Sequence, residues 1–241
     1  MILIDVEGYY IFDYLWFGMY RVTAGGSMMF LESTNVLATS TLEDVQVETG
    51  ERVSGVDFRL QAACKLSGKV VDETGAPVAR ASIFVEDSAG SWVDALSMIS
   101  TGADGRFEID GIPEGRATVF ARAKGLASLG VQTTVTRDSD NELELLVQTG
   151  TELILRPIGK DNQPVKATVR VVGPDDREFH GLMALEEIMS GTRGWSSTEQ
   201  IVGPLPPGKY VVFAELPDGR KVKKTVTLKG QAQRKLKLRL R

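Results

Sequence analysis

Histidine and cysteine are almost missing from this 241-residue sequence, which holds His180, Cys64 and no other of either type. A single cysteine excludes an internal disulfide and any cysteine-based zinc site. A single histidine removes most metal-ligand sets and most nucleophile–base pairs before any motif is sought. No apolar run approaches the roughly 18 residues that a membrane-spanning helix needs, so no membrane insertion is expected. The first twenty residues are apolar and aromatic but carry Asp5, Glu7 and Asp13. They lack the basic start, unbroken apolar stretch and small-residue cleavage site of a secretion signal. A net charge of −4 argues against the whole chain being a nucleic-acid binder. The remainder is ordinary globular material, 42% hydrophobic and 25% charged. At about 150 residues per domain the length corresponds to about 1.6 domains.

That fraction is explained by internal repetition. Gly105, Phe107, Ile109, Gly111, Ile112, Pro113 and Gly115 lead into Ala117, Val119 and Ala121. Ninety-seven residues earlier stand Gly8, Tyr10, Phe12, Tyr14, Leu15, Trp16 and Gly18, then Tyr20, Val22 and Ala24. Ninety-three residues later, Ile112, Pro113, Gly115, Ala117, Val119 and Ala121 become Leu205, Pro206, Gly208, Tyr210, Val212 and Ala214. The front half recurs once, Gly75 to Val85 resembling Asn162 to Val171. A short alternating segment closes each copy: Val56, Phe58, Leu60; then Leu143, Leu145, Val147; then Leu236, Leu238, Leu240. The expected units are residues 1–63, 64–149 and 150–241. The first has no counterpart of residues 66–104 and reads as a back half, so its true beginning is expected to be missing. A unit of about 95 residues gives about 2.5 copies, in place of the generic estimate.

Period-2 alternation dominates each copy, in runs of four to seven residues rich in β-branched side chains. Asp104-Gly105 suits a tight turn after which Phe107 drops into the core. Asp72 to Pro77 turns the chain between the first two strands. Gly111 to Gly115, with Pro113 fixing φ, makes a tight inter-strand link. The expectation is an all-β chain of tandem antiparallel β-sandwiches, two complete and one incomplete at its N-terminal side. The one helical candidate, residues 182–189, reads as an insertion that caps the third sandwich.

Leu66 to Val78, followed by Ala103 to Gly115, resembles the carboxypeptidase regulatory-like domain. The resemblance covers residues 64–149 well and the third copy more loosely, anchored there by Pro204 to Tyr210. It implies a seven-stranded, transthyretin-like or Ig-like sandwich. The family occurs as an accessory module beside zinc carboxypeptidases, at the front of outer-membrane receptors, and in tandem arrays of bacterial surface proteins.

Candidate chemistry is sparse. Zinc peptidase activity needs a His-x-x-Glu pair and a further histidine, which His180 alone does not supply. A Ser/His/acid triad has only His180 to draw on and there is no Gly-x-Ser-x-Gly. Transthyretin-like ureidohydrolases carry several histidines and a Tyr-Arg-Gly-Ser tail, whereas this chain ends Leu238-Arg-Leu-Arg241. Gly203 to Tyr210 approximates a phosphate loop, yet Tyr210 stands where Ser or Thr holds magnesium, and its prolines lack the needed amides. Asp138 to Glu142 opens like a calcium loop, but Leu143 replaces its glycine and Thr149 its closing glutamate. No catalytic, cofactor or metal residues are therefore assigned, and no cofactor is expected.

Two surface features remain. Residues 220–241 hold ten basic and no acidic residues, leaving 18 basic against 32 acidic elsewhere. The basic residues alternate with Leu236, Leu238 and Leu240 and carry no interleaved aromatics, so they read as the solvated face of a half-buried strand. No nucleic-acid partner is expected. Tyr9, Tyr10, Phe12, Tyr14, Trp16, Phe17 and Tyr20 crowd one short segment and, without front strands, must be exposed or covered by a partner. Trp92 and Trp195 fall in loops and are the candidates for a sugar-stacking platform. The expected function is non-catalytic: spacer or interaction modules of a larger bacterial cell-surface or secreted protein. Partners would be neighbouring repeats, a polysaccharide or another surface protein. A carbohydrate-binding module is the first alternative; an accessory domain of a zinc carboxypeptidase or outer-membrane receptor is the second.

Overall fold

Residues 64–149 alternate apolar and polar side chains, and that period places one face of each strand inward. The computed structural model describes residues 7–25, 37–38, 40–88, 99–137, 139–176, 178–179 and 199–240, and within them every regular element is a strand. The second repeat comprises β3 (Cys64–Val71), β4 (Ser82–Asp87), β5 (Arg106–Ile112), β6 (Gly115–Ala123), β7 (Leu126–Ala127), β8 (Val131–Val135), β9 (Glu142–Leu146) and β10 (Gln148–Thr149). One sheet runs β5-β3-β9; the other runs β10-β7-β6-β4, with β8 also paired to β6. Leu66, Val70, Ile109 and Leu145 from the first sheet meet Ile83, Val85, Val119 and Ala121 from the second in one buried core.

The third repeat follows the same plan with β11 (Thr151–Ile158), β12 (Thr168–Val172), β13 (Glu178–Phe179), β14 (Gln200–Leu205), β15 (Gly208–Glu215), β16 (Lys221–Leu228) and β17 (Gln233–Arg239). Its sheets run β14-β11-β17 and β13-β12-β15-β16. Leu153, Leu155, Leu236 and Leu238 face Val171, Tyr210, Val212 and Val226 across its core.

Pairing in the three-stranded sheet is equivalent in the two copies. β3 pairs antiparallel with β5 and parallel with β9; β11 pairs antiparallel with β14 and parallel with β17. The turn after the first strand also repeats. Val71 bridges Pro77 in one copy, as Ile158 bridges Pro164 in the other. Gly75 N–H donates to the Asp72 carbonyl at 2.9 Å, and Asn162 N–H to the Gly159 carbonyl at 3.1 Å. Both turns need a left-handed residue, met by Gly75 (φ 79°) and by Asn162 (φ 65°). Asparagine is among the few side chains that take this conformation readily.

Among its described residues the first repeat has one strand pair, with an isolated antiparallel bridge between Leu37 and Ala62 beside it. β1 (Gly18–Ala24) and β2 (Ser40–Val47) form an antiparallel pair with an irregularity between Tyr20 and Val22. Residues 8–16 and 51–60 belong to no strand, although their sequences alternate. Their counterparts β5 and β9, or β14 and β17, pair only with β3 or β11. No third copy of that central strand stands among the described residues, and a segment without a hydrogen-bonding neighbour has no ladder to join.

The second and third repeats meet without a spacer. β10 ends at Thr149, Gly150 is buried and β11 begins at Thr151. The Gly150 N–H donates to the Gly125 carbonyl at 2.8 Å, and the Gly130 N–H to Asp175 Oδ2 at 3.2 Å.

Candidate functional site

The turn motif is spread along one edge of the second sandwich. Asp104 Oδ1 accepts from the Arg106 N–H at 3.0 Å, and Gly105 (φ 76°) brings the chain against Pro77. Phe107 then enters the core at 6% exposure. Gly111 (φ 90°) and Gly115 (φ 135°) flank Pro113 where the chain passes from β5 in one sheet to β6 in the other. In the third repeat the same crossing holds Pro206 and Gly208. There the buried Tyr210 hydroxyl donates to the Pro206 carbonyl at 2.7 Å. In the first repeat Tyr20 donates to the Trp16 carbonyl at the same 2.7 Å and the same spacing of four residues. These two bonds pass unnoticed in residue types alone. The offsets that superpose Tyr20 on Tyr210 also superpose Trp16 on Pro206, and that coincidence was the available signal.

Trp92, Trp195, His180, Asp138 and the helical candidate 182–189 lie outside the described residues. Asn141, within the calcium-like segment, uses its side-chain amide to brace the turn. Its Nδ2 donates to the carbonyls of Thr136 at 2.8 Å and Lys65 at 2.9 Å, while its Oδ1 accepts from the Thr136 N–H at 3.0 Å. Among the described residues no group of three His, Cys, Asp or Glu side chains is placed to hold a metal. A shallow depression lies over β3 and β5, lined by Ser67, Arg106, Glu108, Asp140 and Glu142. Arg106 reaches Glu142 there at 3.4 Å.

The basic end of the chain is exposed but engaged locally. In β17, Leu236 and Leu238 are buried and alternate with exposed Lys235, Lys237 and Arg239. Arg170 and Lys223 stand 5.1 Å and 5.4 Å from the centre of the Phe213 ring. Arg220 pairs with Asp218 at 2.7 Å, which holds the Asp218 carboxyl below and the guanidinium above their ordinary ranges. Lys221 pairs with Glu215 at 3.0 Å. Such solvent-exposed pairs contribute little stability individually.

The most exposed apolar surface belongs to the first repeat. Tyr14 is 100% exposed, Trp16 81%, Phe17 71% and Tyr9 69%, with Ile11, Phe12 and Leu15 also exposed. Tyr10 is half-buried, its ring edge-on to Phe12 at 5.7 Å and tilted against Phe58 at 6.1 Å. Its hydroxyl donates to the Val56 carbonyl. Burial first, and then the nearby Asp57 carboxylate, push its phenol above the usual value. This run of exposed apolar side chains, with Asp57 close to Tyr10, is the described feature best suited to binding.

The solved structure of the Bacillus anthracis TIE protein is similar across 99% of this chain and 44% of that one, at 15% identity and a TM-score of 0.30. This chain thus spans under half the length of that structure. The major pilin subunit BcpA of Bacillus cereus is similar over 74% of this chain and 99% of that one, at 8% identity and TM-score 0.28. A Streptococcal ancillary pilin is similar over 94% and 76%, at 12% identity and TM-score 0.31. No curated protein sequence matches the chain. A family model does match the second repeat, where β3 through β10 carry the Gly-Ala-Pro turn and the Gly-Ile-Pro-Glu-Gly crossing: residues 65–148 are a carboxypeptidase regulatory-like domain.

Proposed function

We propose that the chain is a run of non-catalytic β-sandwich modules, divided near residues 63 and 149, that space and present surfaces of a larger bacterial cell-surface or secreted protein. The observation that carries this reading is the equivalence of the two complete repeats. Both have the same first-strand pairing, parallel to the last strand and antiparallel to the strand before the crossing. A plan repeated with its turns intact, and joined through Gly150 without a free linker, suits a spacer better than a catalyst, whose function lives in a particular site. Interaction would then fall to loops and edges, with neighbouring repeats, another surface protein or a polysaccharide as partners.

The test places spin labels in the two equivalent turns, at Thr74→Cys and Asp161→Cys, while the buried Cys64 stays unlabelled. A single narrow distance distribution supports a spacer, and a broad one overturns it. A glycan array run on the same chain separates the sugar-binding reading. A blank array favours the spacer; binding that vanishes in Trp92→Ala or Trp195→Ala replaces it with a carbohydrate-binding module.

A further inference from the structure

The last strand of each complete sandwich lies at the edge of its three-stranded sheet, β9 beside β3 and β17 beside β11, each parallel to its neighbour. The offset that superposes Leu143 on Leu236 puts Glu142, Glu144 and Leu146 where Lys235, Lys237 and Arg239 stand. The same strand in the same plan thus carries acidic side chains in one copy and basic ones in the other. Alternation asks only that these outward positions tolerate water, so the basic row of the third repeat is not a demand of its fold.

A second difference extends that row. Lys224 holds a core-facing position of β16, between Val222 and Val226 and opposite the buried Val212. Its equivalent in the second repeat is Val131, opposite Val119. The Lys224 side chain leaves the core: it is exposed, and its Nζ donates to the Lys237 carbonyl at 3.2 Å. Because β16 ends one sheet and β17 ends the other, this bond joins the two edges at a corner of the sandwich. Lys224, Lys235, Lys237 and Arg239 form one exposed ridge there, and among the described residues none of the four makes an ion pair. Two carboxylates beside the same sheet are already engaged, Glu152 by Gln233 at 3.0 Å and Glu199 by Arg156.

The geometry points to this ridge as a binding site for an acidic polysaccharide, a polymer bearing carboxylate or sulfate groups. The inference deepens, and rests on, the reading of the chain as modules of a surface protein. Alternate residues of a strand lie about 7 Å apart, so three cations in a row meet an extended polymer along its length. Arg239 offers paired N–H donors that match a carboxylate. Residues 220–241 hold no acidic residue, whereas the rest of the chain has 32 acidic against 18 basic, so a polyanion is attracted here and repelled elsewhere. A nucleic acid fits less well. Residues 220–241 hold no aromatic residue, and the Phe213 ring beside β16 already carries Arg170 at 5.1 Å and Lys223 at 5.4 Å. Unpaired bases would find no stacking surface.

The probes are fluorescein-labelled polygalacturonate and heparin, one carboxylated and one rich in sulfate, titrated with the full chain and read by fluorescence anisotropy. Saturable binding to at least one is expected, weakening about tenfold or more as sodium chloride rises from about 50 to about 200 mM. Lys235→Glu combined with Lys237→Glu is expected to weaken it about tenfold or more, and Lys224→Val about threefold. Glutamate stands at both equivalent positions of the second repeat, so the paired variant is expected to fold. Arg116→Glu combined with Lys124→Glu makes the same change of net charge at exposed positions of the second repeat, and is expected to alter binding by less than about twofold. No saturable binding to either polymer overturns the proposal, as does an equal loss in the two charge-reversed pairs. Binding of a labelled single-stranded oligothymidylate as tight as that of the better polysaccharide replaces it with a nucleic-acid site. Loss of polysaccharide binding in Trp92→Ala or Trp195→Ala replaces it with the sugar-stacking reading. The spin-label distance between the two equivalent turns, measured on the same chain, separates the failures. Absent binding with a narrow distribution removes the ridge alone; absent binding with a broad one removes the spacer reading as well.

Discussion

Tyr20 and Tyr210 make the same hydrogen bond in different surroundings, and removing each hydroxyl asks how much of its value comes from burial. Both bonds are 2.7 Å long, and both run to the carbonyl four residues back. Tyr210 is fully buried and Pro206 is buried beside it, whereas Tyr20 is half-buried and Trp16 is exposed. In Tyr210→Phe the Pro206 carbonyl loses its partner where water does not reach, which costs about 1–3 kcal/mol. In Tyr20→Phe water replaces the hydroxyl, and the cost is within about 0.5 kcal/mol. A chain of several modules does not unfold as one two-state unit, so the assay must be local. Hydrogen exchange read by mass spectrometry supplies that resolution. Peptides covering 208–216 in Tyr210→Phe are expected to exchange about five- to 150-fold faster than in the native chain, the rate equivalent of that energy. Peptides covering 18–24 in Tyr20→Phe are expected to change by about twofold or less. Equal effects at the two sites, or a change under about twofold at Tyr210, would refute the reasoning that desolvation of the carbonyl sets the cost.

Gly75→Asn is expected to be nearly neutral, because Asn162 holds the same turn position at φ 65°; Gly75→Ala, with open space around it, is expected to lose about 1 kcal/mol to backbone strain alone. Chemical denaturation of an isolated 64–149 segment, once shown to fold, or local exchange in the full chain would measure both. Gly68→Ala forces a methyl between Phe107 and a backbone carbonyl and is expected to cost about 1–3 kcal/mol by the same measurements. Asp72 accepts from the Thr74 hydroxyl at 2.7 Å, the Thr74 N–H at 2.9 Å and the Ala76 N–H at 3.0 Å, which holds its carboxyl below the usual range. A depressed folded value means the turn's stabilisation is complete above the unfolded value of about 4 and is lost as the pH falls through the folded one. The stability difference between the native chain and Asp72→Asn should therefore shrink toward zero in acid, and an unchanged difference would contradict it. Amides of residues 8–16 and 56–60 are expected to exchange faster than those of 64–71 and 106–112, and equal protection would count against an incomplete first repeat.

Much of the architecture was legible because the repeat supplied three aligned readings of one pattern. The crossing glycines, the Pro77 turn and the alternation of Leu236 and Leu238 follow from the offsets between copies. Strand identity in residues 8–16 and 56–60 does not. Alternation specifies which side chains share a face, whereas a strand also requires a neighbour for its backbone, and that neighbour is remote in sequence. The Tyr10–Val56 bond escaped for the same reason. Nothing in a tyrosine aligned with Phe107 announces that its hydroxyl will meet the Val56 carbonyl. The basic tail was legible as an outer face, but its local partners Phe213, Glu215 and Asp218 depend on the register of β15 against β16.

The parallel pairing of first and last strands has a mechanical consequence. Because β3 and β9 run the same way side by side, the chain enters a sandwich at one end of that pair and leaves at the other. A pull applied at the two ends therefore slides the strands past one another along their length. The hydrogen bonds between them are loaded together in shear, not peeled one at a time. The second repeat sets five paired positions against such a pull, Ser67 to Val71 on Glu142 to Leu146. The third sets seven, Glu152 to Ile158 on Gln233 to Arg239. Under tension along the chain the second repeat should yield at lower force than the third. The first, whose residues 56–60 join no strand among the described residues, should extend before either.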